Sequence, residues 1–165
     1  MVGFARLITS LTASDMLILE DNGSEQIVVR HTDTGSIAID RGATQLALSS
    51  GSLLPNTWTF IEVKAVIADS GGSVTVRVNG ADFVSVSNAD TKATATASAN
   101  SVKFWGSGGS GATVRYDDIY ILDGTGAIND FLGDHRVRTL LPAADDSVQF
   151  ARSTGAYNYA NVIVG

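Results

Sequence analysis

Acidic and amide side chains gather in one Gly-rich stretch of the sequence, and this stretch could bind a metal ion. It contains Asp123, Asn129, Asp130 and Asp134. Carboxylate and amide oxygens are the ligands that Ca²⁺ prefers, so these four residues predict a structural calcium site. The pair Asp145-Asp146 forms a second acidic spot further along the chain. The alternative is that these Asp residues only form turns and caps, as Asp in loops commonly does.

Aromatic side chains are the second group of candidates, because they can stack on sugars or anchor contacts between proteins. We expect glycan contacts at Trp105, which lies beside a Gly/Ser loop, and at Tyr157 and Tyr159 near the C-terminal end. Core packing is the alternative for Trp105, and an interface or lid is the alternative for the two tyrosines. Trp58 is predicted to lie in the core, because it opens the most regular strand pattern of the sequence.

A Gly-rich loop and the two histidines could also suggest binding sites, but the sequence favours a structural role for each of them. The loop Gly106–Gly111 satisfies G-x-G-x-x-G, but a dinucleotide site needs a helix after the loop, and a strand pattern follows here. It therefore predicts a flexible hairpin loop. His31 and His135 are the only histidines and Cys is absent, so the further ligands that a zinc site needs are missing.

The elements that must position these residues are short antiparallel strands. Apolar residues recur with period two between clusters of Gly, Asn, Asp and Ser, and Asn79-Gly80 is a strong hairpin signal. The stretch Asn88–Asn100 contains few bulky residues and predicts a long loop with a weak edge strand. The predicted strands are Met16–Leu19, Gln26–His31, Ser36–Asp40, Thr44–Leu48, Trp58–Ile67, Val74–Val78, Phe83–Val86, Ser101–Trp105 and Thr113–Leu122, before a last segment Val148–Gly165.

Composition and charge restrict the class of protein further. A chain of 165 residues with 44% hydrophobic and 17% charged residues predicts a single globular domain over residues 1–165. The net charge of −6 and the scattered basic residues argue against nucleic acid as a partner. No apolar run is long enough to span a membrane, and Met1–Leu11 lacks the pattern of a signal peptide, so we expect cytosolic synthesis and no membrane partner.

Several ordered segments resemble a known family. The run Trp58–Lys64, the run Ala68–Gly80 and the motif Tyr116-Asp117-Asp118-Ile119-Tyr120 look like a concanavalin A-like, laminin-G-like jelly roll. The runs Asp117–Gly126 and Asn129–Val137, followed by Thr139-Leu140-Leu141-Pro142, resemble structural proteins of tailed phages and prophages. This resemblance covers roughly residues 17–162. It implies an all-β jelly-roll sandwich, in which a less regular segment, residues 124–141, packs across one end.

Compared with that family, the chain begins and ends early. Its relatives usually have further strands ahead of the segment that matches Met16–Arg30, and they continue past Tyr159–Val162. We therefore expect an incomplete sandwich that lacks the family's first strands. An unpaired sheet edge can be filled by another chain, so this expectation favours a homo-oligomer or contacts with other virion proteins.

The resemblance suggests glycan hydrolysis as the enzymatic alternative, because several glucanases share this sheet architecture. Their Glu-x-Asp-x-x-Glu pattern is absent, and Glu62 stands alone on its predicted strand. Asp117 and Asp118 are adjacent on a strand and should point to opposite faces, so they cannot form the facing pair that hydrolysis requires. We expect one of them to be buried and hydrogen-bonded.

The function that these observations predict is structural. The resemblance implies a non-enzymatic protein of a tailed-phage virion, such as a decoration, fibre or appendage component, that acts by assembly in many copies. A module that binds host-surface carbohydrate is the alternative, and a glycan hydrolase is a third. No cofactor other than Ca²⁺ is expected, and the expected location is the virion.

Overall fold

The described residues form ten β-strands and no helix. The structure is a computed structural model, and it describes residues 1–106, 111–125 and 127–134. Within these ranges no helix could cross a membrane. The strands are β1 Val2–Ile8, β2 Ser14–Asp21, β3 Ser24–His31, β4 Ser36–Arg41, β5 Thr44–Ser52, β6 Thr59–Val66, β7 Gly72–Val78, β8 Ala81–Ala89, β9 Ser101–Phe104 and β10 Val114–Ile121.

These strands form two antiparallel sheets that make a β-sandwich. The first sheet has the order β10-β1-β6-β7-β8, and the second has the order β5-β4-β3-β2-β9. The predicted all-β sandwich is therefore confirmed. Two strands far apart in sequence, β1 and β10, pair along most of their length, so the two ends of the described fold are joined in one sheet.

The core lies between the sheets, where each strand contributes every second side chain. On β6, Ile61 and Val63 are buried in this core, whereas Glu62 between them faces the other side of the sheet, called here the outer face of the first sheet. The two sheets contribute in similar measure. The buried core residues are Val2, Phe4, Met16, Leu17, Ile27, Val29, Ile37, Ile39, Leu53, Ile61, Val63, Val74, Val76 and Val84.

Two Asn-Gly pairs make two-residue hairpin turns. Asn22 and Gly23 join β2 to β3 with φ values of 50° and 81°, and Asn79 and Gly80 join β7 to β8 with φ values of 51° and 82°. Two successive positive φ values are what a type I′ turn requires, and Asn and Gly tolerate them best. The Asn79-Gly80 hairpin is thus confirmed.

The N-terminal residues correct the expectation that the fold begins near Met16. Residues Val2–Ile8 form β1, which lies between β10 and β6 in the first sheet. Their apolar residues alternate only partly, with Arg6 at an inward position, and this obscured the strand pattern. A strand therefore does precede the segment that resembles the family.

Two other expectations about loops need correction. The loop after β8 contains no weak edge strand, because residues 90–100 lie outside every strand. The described part of the irregular segment after β10 packs on the outer face of the first sheet and not across an end, as the contact between Asp130 and Lys64 on β6 shows. The segment Val148–Gly165 lies outside the described residues.

Candidate functional site

The outer face of the first sheet carries a depression of 330 Å³ near the start of β6. Among its described lining residues, three are carboxylic acids and one is a tryptophan. Its lining residues come from β1, β10, the start of β6, the turn after β7 and the irregular segment after β10. The lining residues are Ala5, Trp58, Thr59, Phe60, Asn79, Asp117, Asp118 and Asp134.

Trp58 is not a core residue, so its predicted burial is wrong. Its side chain is 46% exposed and lines the depression. The residues at odd positions of β6, such as Ile61, face the core, which places even positions such as Phe60 on the outer face. Both sets of positions are rich in apolar residues, so the alternation alone could not show which set faces inward.

A β-bulge brings Asp117 and Asp118 to the same depression. Gly3 on β1 pairs with Tyr120, but Ala5 pairs with Asp117, so the register shifts between the two pairs. Asp118 takes up the extra residue with a φ of 50°, a left-handed conformation that Asp tolerates better than most residues. The prediction that these two carboxylates point to opposite faces is wrong, and so is the expectation of a buried Asp, since Asp117 is exposed and Asp118 is half-buried.

The start of β6 is fixed by the turn that follows β7. The backbone N–H of Phe60 donates to the Asn79 side-chain oxygen at 2.9 Å, and the Asn79 N–H donates to the Phe60 carbonyl at 2.8 Å. These two hydrogen bonds hold Phe60, two residues after Trp58, against the hairpin. The tryptophan therefore lies near a turn that two hydrogen bonds join to β6.

Glu62 is a buried polar group on β6, two residues after Phe60 of this site, and sequence reasoning did not identify its role. Its side chain is 1% exposed, and its Oε1 accepts hydrogen bonds from the Tyr120 hydroxyl at 2.6 Å and from the Gly133 N–H at 2.9 Å. Burial, together with the Glu62 carboxylate, raises the pKa of Tyr120 further above neutral pH, where the hydroxyl is already a donor. A lone Glu flanked by apolar residues on a strand is the one sequence signal for such a group.

The acidic residues predicted to bind calcium have separate surroundings. Asp123 accepts hydrogen bonds from the Thr125 N–H and hydroxyl at 3.0 and 2.9 Å, and these bonds lower its pKa. Asp130 accepts from the Phe131 N–H and pairs with Lys64 at 3.0 Å. Among the described residues no three His, Cys, Asp or Glu side chains form a group that could hold a metal ion. The calcium site at Asp123, Asn129, Asp130 and Asp134 therefore gains no support here and stays a prediction.

The aromatic candidates lie apart from the depression or outside the described residues. Trp105 is 43% exposed, so core packing of its side chain is wrong, but it does not line the depression. Its carbonyl accepts a hydrogen bond from the Tyr116 hydroxyl at 2.7 Å. Tyr157, Tyr159 and the Asp145-Asp146 pair lie outside the described residues.

A second depression of 560 Å³ opens at the flank of the sandwich, between the start of β9 and the end of β10. Its walls include the aliphatic side chains Leu19, Ile67, Val102 and Ile121. It contains no aromatic side chain among its described lining residues. The depression at Trp58 is therefore the better candidate for a site that recognises a polar ligand, because it combines an aromatic surface with several hydrogen-bonding groups.

Comparison with known proteins gives no relative. No protein-family model, no curated protein and no solved structure matches the chain. The function must therefore be inferred from the site itself.

Proposed function

We propose that this chain is a non-enzymatic glycan-binding module that holds a sugar against Trp58. The observation that carries the proposal is the shared depression, where an exposed indole ring and the side chains of Asp117, Asp118 and Asp134 lie together. An indole ring offers a flat apolar surface for the C–H face of a sugar, and carboxylates are strong acceptors for its hydroxyl groups. A sugar uses both the flat apolar surface and the carboxylate acceptors, and this combination favours a sugar as the ligand.

The size and charge of the depression narrow the class of glycan. Its 330 Å³ lies at the lower end of the range for small-molecule sites, about 300–1,000 Å³, and suits a short saccharide. Three carboxylates in the lining repel anionic sugars. We therefore propose a neutral saccharide in preference to a uronate, a sialylated glycan or a phosphorylated glycan.

The biological setting that we propose is the virion of a tailed phage. The resemblance of residues 117–126 and 129–137 to phage structural proteins supports this setting, and it supports assignment of the sandwich to the jelly-roll type. A virion appendage that contacts a bacterial surface would meet many copies of one glycan. Weak single sites then act together, because each bound copy raises the effective concentration at the next.

A glycan array is the test, and the two tryptophans supply a matched pair of variants. Trp58→Ala removes the stacking surface and should lower binding at least about 10-fold, whereas Trp105→Ala removes an equally exposed indole elsewhere and should leave binding unchanged. Asp134→Asn should weaken binding as well. Loss of binding with Trp105→Ala alone would move the site to the Gly/Ser loop, and an array with no signal for the wild-type protein contradicts the proposal.

The same glycans test the enzymatic alternative. A binding module leaves them intact, so no reducing sugar should appear during a long incubation with the wild-type protein. Release of reducing sugar that disappears in Asp118→Asn would show a hydrolase instead.

Assembly in many copies is the second candidate function, and exposed isoleucines favour it. Ile119 and Ile121 are both exposed on β10, which is one of the two edge strands of the first sheet among the described residues. Exposed apolar side chains at such a position favour contacts between chains. Light scattering should show a homo-oligomer that Ile121→Asp dissociates, and a monomer at high concentration contradicts this candidate.

A further inference from the structure

A short segment lies across the outer face of the first sheet beside the candidate glycan site. We call residues Asn129–Asp134 the strap. Lys64 Nζ lies 3.0 Å from Asp130 Oδ1, the ring of Phe131 lies 3.9 Å from the Arg77 guanidinium, and Gly133 donates to Glu62. The strap therefore contacts both β6 and β7.

Of these contacts, the one with Glu62 is the most buried. The Lys64–Asp130 pair is solvent-exposed, and exposed ion pairs contribute little to stability. Glu62 instead offers a carboxylate oxygen, shielded from water, to the N–H of Gly133 and to the hydroxyl of Tyr120. The Leu132 N–H lies 3.4 Å from that hydroxyl, so Tyr120 adds a weaker contact of its own to the strap.

The second oxygen of Glu62 shows that this arrangement costs stability. Glu62 Oε2 is buried and has no hydrogen-bond partner in the described part of the chain. A buried carboxylate with one unsatisfied oxygen is unfavourable compared with an apolar side chain of similar size. Residues that are less stable in their surroundings than an alternative side chain concentrate at functional sites, because function and not stability determines which residue is kept there.

We propose that Glu62 is a positioning residue for the glycan site, and that it acts through the strap. By binding Gly133, the carboxylate fixes the residue that precedes Asp134, and Asp134 lines the depression together with Trp58. Only the expected effect on glycan affinity rests on the proposed function. The contact between Glu62 and the strap is present in the ligand-free protein and does not depend on that function. Glu62 itself does not line the depression.

The variant that tests this is Glu62→Leu, measured in a Trp105→Phe background so that Trp58 is the only tryptophan. Leu fits a buried position without a polar group, so the fold should persist while the strap loses its contact. Amide exchange at Gly133 should become at least about 10-fold faster. Quenching of Trp58 fluorescence by iodide should also increase. In the wild type the Asp134 carboxylate lies in the same depression as the indole and repels the iodide anion, and release of the strap lets this carboxylate move away. Affinity for the array glycan should fall in parallel.

Two further variants sharpen the result. Glu25→Leu makes the same chemical change at an exposed position of the second sheet and should alter none of the three readouts. Glu62→Gln keeps an acceptor oxygen for Gly133 and should restore slow exchange in part. Should Glu62→Leu fail to fold, Tyr120→Phe removes a single hydroxyl from the same cluster and should speed exchange at Gly133.

The readouts separate this inference from the proposed function. Unchanged Gly133 exchange and unchanged quenching in Glu62→Leu overturn the positioning role, whatever the glycan result. Faster exchange with undiminished glycan affinity overturns it too, because the strap then has no part in binding. If the wild type binds no glycan, the proposed function is refuted. Faster Gly133 exchange and stronger Trp58 quenching in Glu62→Leu would still show that Glu62 controls the positions of Asp134 and Trp58.

Discussion

Arg6 Nε donates a hydrogen bond of 3.3 Å to the Tyr116 hydroxyl, in a sandwich interior that offers the guanidinium no carboxylate within the described part of the chain. The Arg6 side chain is 2% exposed, and its two terminal nitrogens have no hydrogen-bond partner there. The Tyr116 hydroxyl in turn donates to the carbonyl of Trp105 or Met16. One inward position of β1 thus carries a cation where its neighbours carry apolar side chains.

Replacement of this cation should stabilise the protein. Arg6→Met keeps most of the volume and removes a buried charge with two unsatisfied donor groups. We expect the free energy of unfolding to rise by about 1–3 kcal/mol. Urea denaturation measures this change, with Arg115→Met on the exposed side of β10 as the control that should change stability by less than about 0.5 kcal/mol. A less stable Arg6→Met would show that the guanidinium is compensated.

Gln26 should be essential for the order of the loop between β8 and β9. This fully buried side chain donates to the carbonyls of Thr96 and Ser98 and accepts from the N–H groups of Ala93 and Thr94. Gln26→Leu removes these four hydrogen bonds from the loop, so we expect a loss of about 2–4 kcal/mol in the free energy of unfolding. Hydrogen exchange across residues 93–98 should accelerate.

The control for this change is a second glutamine in the same sandwich. Gln45 on β5 is exposed and accepts one hydrogen bond from Arg30, so Gln45→Leu should cost less than about 1 kcal/mol. Similar losses for the two variants would mean that the loop is not held by Gln26.

His31 should make stability depend on pH. Its ring is fully buried, with Nε2 3.1 Å from the Ser14 hydroxyl and Nδ1 3.0 Å from the Thr32 carbonyl. Burial lowers the pKa of His31 from its ordinary 6.5, and the Thr32 carbonyl opposes this only in part. The unfolded chain therefore binds the proton more tightly. The contribution of His31 is fully present above pH 6.5 and is lost as the pH falls from there towards the lowered pKa.

Comparison of wild type with His31→Gln isolates this effect from other titrating groups. One proton can change the free energy of unfolding by at most about 1.4 kcal/mol per pH unit, so the wild-type curve should be the steeper of the two below pH 6.5 by up to that slope. Urea denaturation across this range provides the measurement. Parallel curves would mean that the histidine can be protonated in the folded protein.

Most of the strands could be predicted, because their information is local. Alternation from Val74 to Val78 and the Asn79-Gly80 turn fix one hairpin without reference to the rest of the chain. The exception is β1, whose inward Arg6 breaks the apolar pattern. Its place between β10 and β6 depends on pairing over more than 100 residues, as Val2 with Ile121 shows, and no local pattern reports such pairing.

The candidate site was less predictable, because it depends on which way particular side chains face. Trp58 lies just before β6, a strand with apolar residues on both faces. Phe131 of the strap, and not the second sheet, packs on the outer face of this sheet. Asp117 and Asp118 share a depression only because of the bulge opposite β1. An Asp-Asp pair in a strand is the one sequence feature that could have indicated it, since Asp favours irregular backbone.

Gly3 should be required for the position of Tyr120. A Cβ at this residue would lie 2.2 Å from the Tyr120 ring, far inside van der Waals contact, and the ring cannot move without breaking its hydrogen bond to Glu62. Gly3→Ala should therefore reduce the free energy of unfolding by about 1–3 kcal/mol, whereas Gly106→Ala, with open space around it, should not. If the clash is the cause, the loss should nearly vanish in a Tyr120→Ala background, because the side chain that collides is gone. A double-mutant cycle from urea denaturation measures that coupling, and additive losses would place the effect of Gly3 in the backbone of β1 rather than in its contact with Tyr120.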